Sequence, residues 1–457
     1  MLWWGGSSDF GPVGRNWCEA ILKHEWAAGA RWATISRGAQ IGIDSPAGDG
    51  QIRSMISKPF SRRSFLQQSA LALGGAVGAS AAGEASVEMP FANGHRRLVK
   101  FSQKREMILL THRPPQLETP FAVFNDGLLT PNDAFFVRYH LSGLPESIDA
   151  ETFRLSVKGL VKTPLSLSLA DLKGMDSVEV VAVNQCSGNS RGFFQPRVAG
   201  GQSGNGAMGN ARWKGVRLKD VLDKAGVSEG AKQVVCDGLD KPVVPSTPDF
   251  IKSLEIDHAR DGEIVLAYEM NGKELPMLNG YPLRLVVPGY YGTYWIKHLS
   301  ELNVVGETFA GFFMSIGYRI PQTPGGCVEP GTTPTSTVPI TKFKIRSFLT
   351  SHMDGEKLNK NQEITLRGIA FDSGAGITEV QLSTDGGQTW QGAKLGKDLG
   401  KYSFREWTFA WKPDASGAAS LQCRAFNRLG ETQPTTPLWN PAGYMRNVVE
   451  STSVTIL

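Results

Sequence analysis

Residues 321–339 read PQTPGGCVEPGTTPTSTVP, with five prolines, five threonines and three glycines in nineteen positions. Proline removes backbone donors and glycine dilutes packing, so the run is not expected to pack as a helix or a sheet strand. It is expected as a linker, with the catalytic part of the chain carried to 325 and the linker proper at 326–339. The chain must therefore build a core on each side of it, and 457 residues are enough for both.

Before the linker, short β-branched runs alternate with Gly/Pro turns: TFRLSVKGLV, SVEVVAVNQ, AKQVVCDGL, EIVLAYEMNG, YPLRLVVPG and LSELNVVG. Two stretches carry helical spacing instead, LSLADLKGM, capped by Ser168, and VRLKDVLDKAGV. Residues 84–120 show neither pattern and are expected to be irregular. After the linker come KFKIRSFLT, QEITLRGIAFD, ITEVQLSTDGGQTW, FREWTFAWKP, ASLQCRAFNRLG and SVTIL, about seven short alternating strands with TDGGQTW as a hairpin. The class predicted is α+β, mostly β: a mixed α/β domain at 105–325, then an immunoglobulin-like β-sandwich at 340–457.

The N-terminal part reads as a targeting signal. SRRSFLQQSALALGGAVGASAAG, residues 61–83, places Arg62 and Arg63 before a mildly apolar run and an A-x-A-like site, the layout of a twin-arginine export signal. The run is too short and too rich in Gly and Ala to span a membrane. Met55 opens MISKPFSRRSFL, so 55–83 is expected as the signal peptide and 1–54 as a mis-assigned upstream extension. The mature protein is expected in the periplasm, exported folded. Without residues 1–81, which hold eight Lys/Arg and five Asp/Glu, the chain carries 40 basic against 38 acidic side chains. That balance gives no footprint for nucleic acid.

Cys186, Cys236, Cys327 and Cys423 are scattered, with no C-x-x-C pair for zinc or redox exchange. Cys236 and Cys423 sit in strand-like runs and read as core. Cys186 sits in AVNQCSGNSRGFF, among small polar residues and five positions before Arg191. A thiolate is a soft-metal ligand or a nucleophile, and a nearby cation favours that form; a half-buried structural thiol fits the stretch equally. In FFVRYH, 135–140, strand alternation sets Arg138 and His140 on one face and Tyr139 on the other. Two such groups suit an oxyanion, or simply a solvated strand face. VVPGYYGTYWIKHLSEL presents Lys297 after a glycine turn, and GFFMSIGYRIP places Tyr318 before the linker.

In order, FFVRYH, VNQCSGNSRGFF, NGAMGNARWKGVRLKDVL and AYEMNGKELPMLNGYPLRLVVPGYYGTYWIKHL resemble the sulfite oxidase family of molybdenum enzymes. LSTDGGQTWQGAKL is similar to that family's dimerisation domain. NQCSGNSRGFF, GNGAMGNARW and GYMRNVVE look most like the bacterial periplasmic sulfite dehydrogenases that reduce cytochrome c. The resemblance implies a molybdenum–molybdopterin cofactor with Cys186 as the one protein thiolate on the metal. Ser187, Gly188, Asn189 and Ser190 would let that cofactor approach the backbone. Arg138 and Arg191 would bind sulfite, His140 would edge the pocket, and Tyr318 would offer a hydroxyl, with Phe309 the alternative by local alignment. The pterin and phosphate would lie around Phe136, Val137, Arg138, Tyr139, His140, Asp240, Asn279, Arg284, Trp295, Ile296 and Lys297. Two positions depart from the animal members: Asn279 replaces a histidine and Ala442 an arginine. The chain shows no cytochrome b5-like domain and no C-x-x-C-H, so no haem is expected in it. Electrons are expected to leave to a separate c-type cytochrome, from a homodimer or a heterodimer with a cytochrome subunit. A sulfane dehydrogenase subunit of a thiosulfate-oxidising complex shares the layout. A binding module that uses its sandwich for adhesion is disfavoured by Cys186 and Arg191 beside an export signal for folded cargo.

Overall fold

SVEVVAVNQ alternates polar and apolar residues at its start and loses the alternation toward its end. The computed structural model, which describes residues 85–457, follows that change. In the strand Ser177–Gln185 the first four residues alternate between exposed and half-buried, and the last five are buried. Its outer half lies at a wetted edge and its inner half runs beneath other elements, ending at Cys186. All nine residues pair antiparallel with Met208–Arg217. The sheet continues through Val265–Met270, which pairs with both Lys273–Glu274 and Arg284–Val286.

A second sheet of the same domain runs Lys252–Glu255, Gln233–Gly238, Leu299–Val305, Arg154–Gly159, Leu165–Ser168. Its one parallel contact joins Leu299–Val305 to Arg154–Gly159. Both predicted helices form. In Leu169–Lys173 the Ser168 hydroxyl accepts from the Asp171 amide while the Asp171 carboxylate accepts from Ser168, a reciprocal cap. Leu218–Ala225 buries Leu218, Val221, Leu222 and Ala225, one stripe at helical spacing. Both sheets close over a core centred on Trp213, Trp295 and Leu222.

Two expectations are corrected. From residue 85 onward the leading segment is not irregular: Ser86–Glu88, His95–Lys100, Glu106–Thr111, Gln116–Glu118 and Val137–Arg138 form a five-stranded sheet in chain order. HRRLVK hides its strand because its outward positions are charged and its inward ones only half-buried. The linker is also not a free tether. Arg319–Pro321 pairs antiparallel with Thr337–Pro339, so the Pro/Gly-rich run is a loop closed at its base by Ile320 and Val338.

After that loop the sandwich comprises a four-stranded sheet, Arg346–Leu349, Ile364–Phe371, Arg405–Trp411, Lys394–Leu395, and a five-stranded one, Lys357–Leu358, Ser451–Ile456, Gly417–Asn427, Ile377–Ser383, Gln391–Gly392. Leu366, Val380, Trp407, Leu421 and Cys423 fill the space between them. The class is α+β, mostly β, as the sequence indicates. Among the described residues no helix is long and apolar enough to cross a membrane. The signal and upstream segment expected at 1–83 lie outside the described residues.

Candidate active site

The five-stranded meander delivers the first site residues. Val137 and Tyr139 point into a small core with Met107 and Leu117, while Phe136, Arg138 and His140 line a cavity. The two-residue periodicity of extended chain is the cause. The Arg138 carbonyl accepts from Lys297 Nζ at 2.8 Å, and that ammonium sits 4.2 Å from the centre of the Tyr139 ring.

Cys186 enters the same cavity from the buried end of Ser177–Gln185. Its amide donates to the Ala207 carbonyl at 2.9 Å, and its carbonyl accepts from the Asn189 amide at 2.9 Å. The thiol therefore leaves a fixed strand end rather than a loose loop. The residues beyond it are equally held. Asn189 Oδ1 accepts from the Ala207 amide, and Ser190, in the left-handed region at φ 68°, donates its hydroxyl to Asn205 Oδ1 at 2.5 Å. Ser187 lines the cavity, but Gly188 makes room for a side chain of this protein, since a Cβ there would lie 2.8 Å from the Arg191 guanidinium. A Cβ on Gly200 would also lie 2.8 Å from it.

The far end of this loop is tied to the meander through Glu118. Its two carboxylate oxygens accept from the amides of Gly204 at 2.9 Å and Gly206 at 2.7 Å. Burial pushes the carboxyl up to about 7, and the two amides act the other way. Glu118→Gln sets an amide NH₂ against one of two backbone donors, which costs about 1–3 kcal/mol. Thermal unfolding of that variant is expected to begin several degrees earlier; an unchanged midpoint removes Glu118 from the loop's support.

Tyr318 lines the same cavity as Cys186. Its hydroxyl is hydrogen-bonded to His140 Nε2, and burial pushes the phenol upward, so it stays protonated. Phe250 stacks on the His140 imidazole at 3.7 Å and 8°, and burial together with Arg138, Lys297 and Lys252 holds that ring well below its ordinary value and neutral. Phe309, the alternative to Tyr318, is not among the residues lining this cavity, and its amide donates to Gln233 Oε1 at 2.8 Å.

Cationic groups dominate the remaining wall. Burial pushes Lys297 down to about 7, against the opposing pull of Asp240, and Arg284 down to about 10. Lys252, beneath Tyr294 and Tyr318, is pushed to about 7. Burial raises the Asp240 carboxyl. Asn279 acts as a bracket: Oδ1 accepts from Lys104 Nζ at 2.5 Å, Nδ2 donates to the Phe136 carbonyl, and its own carbonyl accepts from Arg284. Meanwhile Asn184 Nδ2 and Oδ1, Ser187 Oγ, Thr293 Oγ1 and Arg284 Nε are buried at the cavity without a hydrogen-bond partner in the protein. Buried polar atoms require partners, so unpaired donors among desolvated cations fit a polar, anionic group, which is the chemistry of a pterin with a phosphate. Cys186 adds one soft ligand to that site. Among the described residues no group of three or more His, Cys, Asp or Glu could hold a metal.

Not every expected contact falls here. Tyr139, Asp240, Trp295 and Ile296 line neither this cavity nor a smaller one beside it. Tyr139 bonds His298 at 2.7 Å, Trp295 bonds the Tyr290 carbonyl at 3.1 Å, the Ile296 carbonyl accepts from the Leu285 amide, and Asp240 acts on Lys297 electrostatically. They stand behind the wall. Arg191 borders the smaller cavity, which shares Phe136, Arg138 and Cys186 with the first and adds Val137. Phe250, Asn184, Thr293, Lys104 and Lys252 went unremarked in the sequence, and only the amide of Asn184, out of place in an apolar run, marks its residue there.

The comparisons agree with this chemistry. Residues 141–313 match the oxidoreductase molybdopterin binding domain and 337–456 the Mo-co oxidoreductase dimerisation domain. Fold and site define a molybdopterin-binding oxidoreductase. The chain is 32% identical to sulfite oxidase of Gallus gallus over 351 residues, 73% of this chain and 75% of that protein. It is 33% identical to mitochondrial sulfite oxidase of Homo sapiens over 354 residues, 74% of this chain and 63% of that one. The protein belongs to the sulfite oxidase family, and spans less than two thirds of the length of its mammalian relatives. The crystal structure of the sulfane dehydrogenase SoxCD from Paracoccus pantotrophus superposes with a TM-score of 0.64 at 25% identity, over 79% of this chain and 88% of that one.

Proposed function

We propose that this protein oxidises sulfite to sulfate at a molybdenum–molybdopterin centre held by Cys186 and passes the electrons to a c-type cytochrome. The observation that carries the reading is the cavity in which Cys186, Arg138, His140 and Tyr318 meet. When bound, the cofactor supplies the two-electron oxidation and the oxygen that sulfite gains. The chain supplies binding and orientation. Arg138 and Arg191, from separate segments, offer fixed charge and forked donors to a small oxyanion. Tyr318 holds a proton at its hydroxyl beside a neutral His140, and Phe250 keeps water off that imidazole. Lys297, Arg284, Asn184 and Thr293 hold the pterin and its phosphate. In this reading the electrons leave to a separate c-type cytochrome, and the sandwich pairs the chain with a second copy or a cytochrome subunit.

Sulfite-dependent reduction of cytochrome c by molybdenum-loaded protein tests the reading; no reduction at any sulfite concentration refutes it. The likeness to the sulfane dehydrogenase SoxCD supports a second reading, oxidation of sulfane sulfur as a subunit of a thiosulfate-oxidising complex. Turnover of a persulfide carrier in preference to sulfite selects that one.

The proposal includes export. Changing Arg62 and Arg63 together to Lys is expected to leave active enzyme in the cytoplasm, as cell fractionation would show. Periplasmic activity from that variant refutes the twin-arginine route.

A further inference from the structure

Across the interface between the two domains, Tyr444 of the sandwich lies between two residues of the proposed substrate site. Its ring is stacked on Tyr318, with centres 5.3 Å apart and planes 18° from parallel. The Arg191 guanidinium carbon is 4.8 Å from its ring centre. Burial raises its phenol, against which Arg191 acts by its charge and a hydrogen bond and Arg138 by its charge. Its segment is docked by backbone: the Met445 amide donates to the Ser187 carbonyl at 2.9 Å, and the Ala442 carbonyl accepts from Arg191 Nε at 3.2 Å. Gly443 sits at φ +62°, where a Cβ would lie 2.4 Å from Val198 and 3.0 Å from Arg191. The ring is therefore delivered by a turn that tolerates almost no added atoms.

We infer that Tyr444 is a positioning residue for the oxyanion site, its ring clamping the Arg191 guanidinium and the Tyr318 phenol in one fixed arrangement. The inference rests on the reading of Arg191 and Tyr318 as substrate contacts. An aromatic face attracts a guanidinium without neutralising it. A carboxylate there would pair with Arg191 and compete with the substrate for it. Arginine alone has many rotamers, and every one excluded beforehand is entropy not lost on binding.

The test uses full-length protein with Tyr444→Phe, which keeps the ring, and with Tyr444→Leu and Tyr444→Met, which remove it. Two readouts are taken on each: KM and kcat for sulfite, and the rise in unfolding temperature produced by sulfate. Ring loss is expected to raise KM about tenfold, as for one weakened charge-assisted contact, with kcat within about threefold and molybdenum content unchanged. The same variants are expected to lose most of the sulfate-induced stabilisation, while Tyr444→Phe keeps both. Ring-free variants with normal KM and normal sulfate response overturn the inference, as does Tyr444→Phe failing as badly as Tyr444→Leu. If the unaltered protein does not oxidise sulfite, the proposed reaction fails, and the sulfate readout still decides the clamp.

Discussion

Cys186→Ser is expected to abolish sulfite oxidation while leaving the protein folded. The sulfur lies at the meeting point of the two cavities, each bordered by Arg138 as well. A serine oxygen is a hard donor of high pKa and does not replace a thiolate on a soft-ligated metal. The fold survives because the contacts that place residue 186 are made by its amide and carbonyl, to Ala207 and Asn189, and serine keeps both. The change in stability is expected within about 1 kcal/mol. Activity and circular dichroism on one preparation decide it. Near-normal turnover by the serine variant removes Cys186 from the metal.

Arg191→Gln is expected to lower kcat/KM by roughly ten- to a hundredfold, mostly through KM, the effect of losing one charge-assisted contact worth about 1.5–3 kcal/mol. Molybdenum content is expected to stay constant. Arg191 borders the smaller cavity, whereas Arg284, Lys297, Asn184 and Thr293 line the larger one. Glutamine is short enough to avoid Gly188 and Gly200 and still leaves the positions occupied by the guanidinium empty. Steady-state kinetics with metal analysis on the same sample separates the outcomes. An unchanged KM, or a variant without molybdenum, takes Arg191 out of substrate binding.

Pattern alone leaves Cys186 equally readable as a structural thiol, Arg138 and His140 as a solvated strand face and Tyr318 as bland; the family resemblance is what makes these residues and Arg191 legible as candidates. Lys104 and Lys252 are not legible. A lysine in SQKREM or DFIKSLEI reads as a solvated strand position, and only burial by distant segments makes its charge count: Nζ of Lys104 reaches the carbonyls of Asn132 and Phe135, and that of Lys252 the carbonyl of Phe313. Tyr444 was hidden for a related reason, since its partners lie 126 positions or more away in the chain and no periodicity marks it. Sequence pattern reports local geometry; the electrostatics of this cavity arise from contacts between remote segments. Most of the leading strands give no pattern for the opposite reason: three of the five are only two or three residues long, and HRRLVK is charged at Arg96, Arg97 and Lys100.

Arg346, on the first strand of the sandwich, is fully buried. It is paired with Glu450 at 3.1 Å and donates to the Ser190 hydroxyl at 3.0 Å. Ser190 immediately precedes Arg191 and holds a left-handed backbone, so a sandwich residue grips the chain one step from the proposed substrate arginine. The two halves are therefore not interchangeable parts. Recombining this first domain with a foreign sandwich would yield a hybrid in which the loop carrying Ser190 and Arg191 lacks this anchor, however well the two pieces fold.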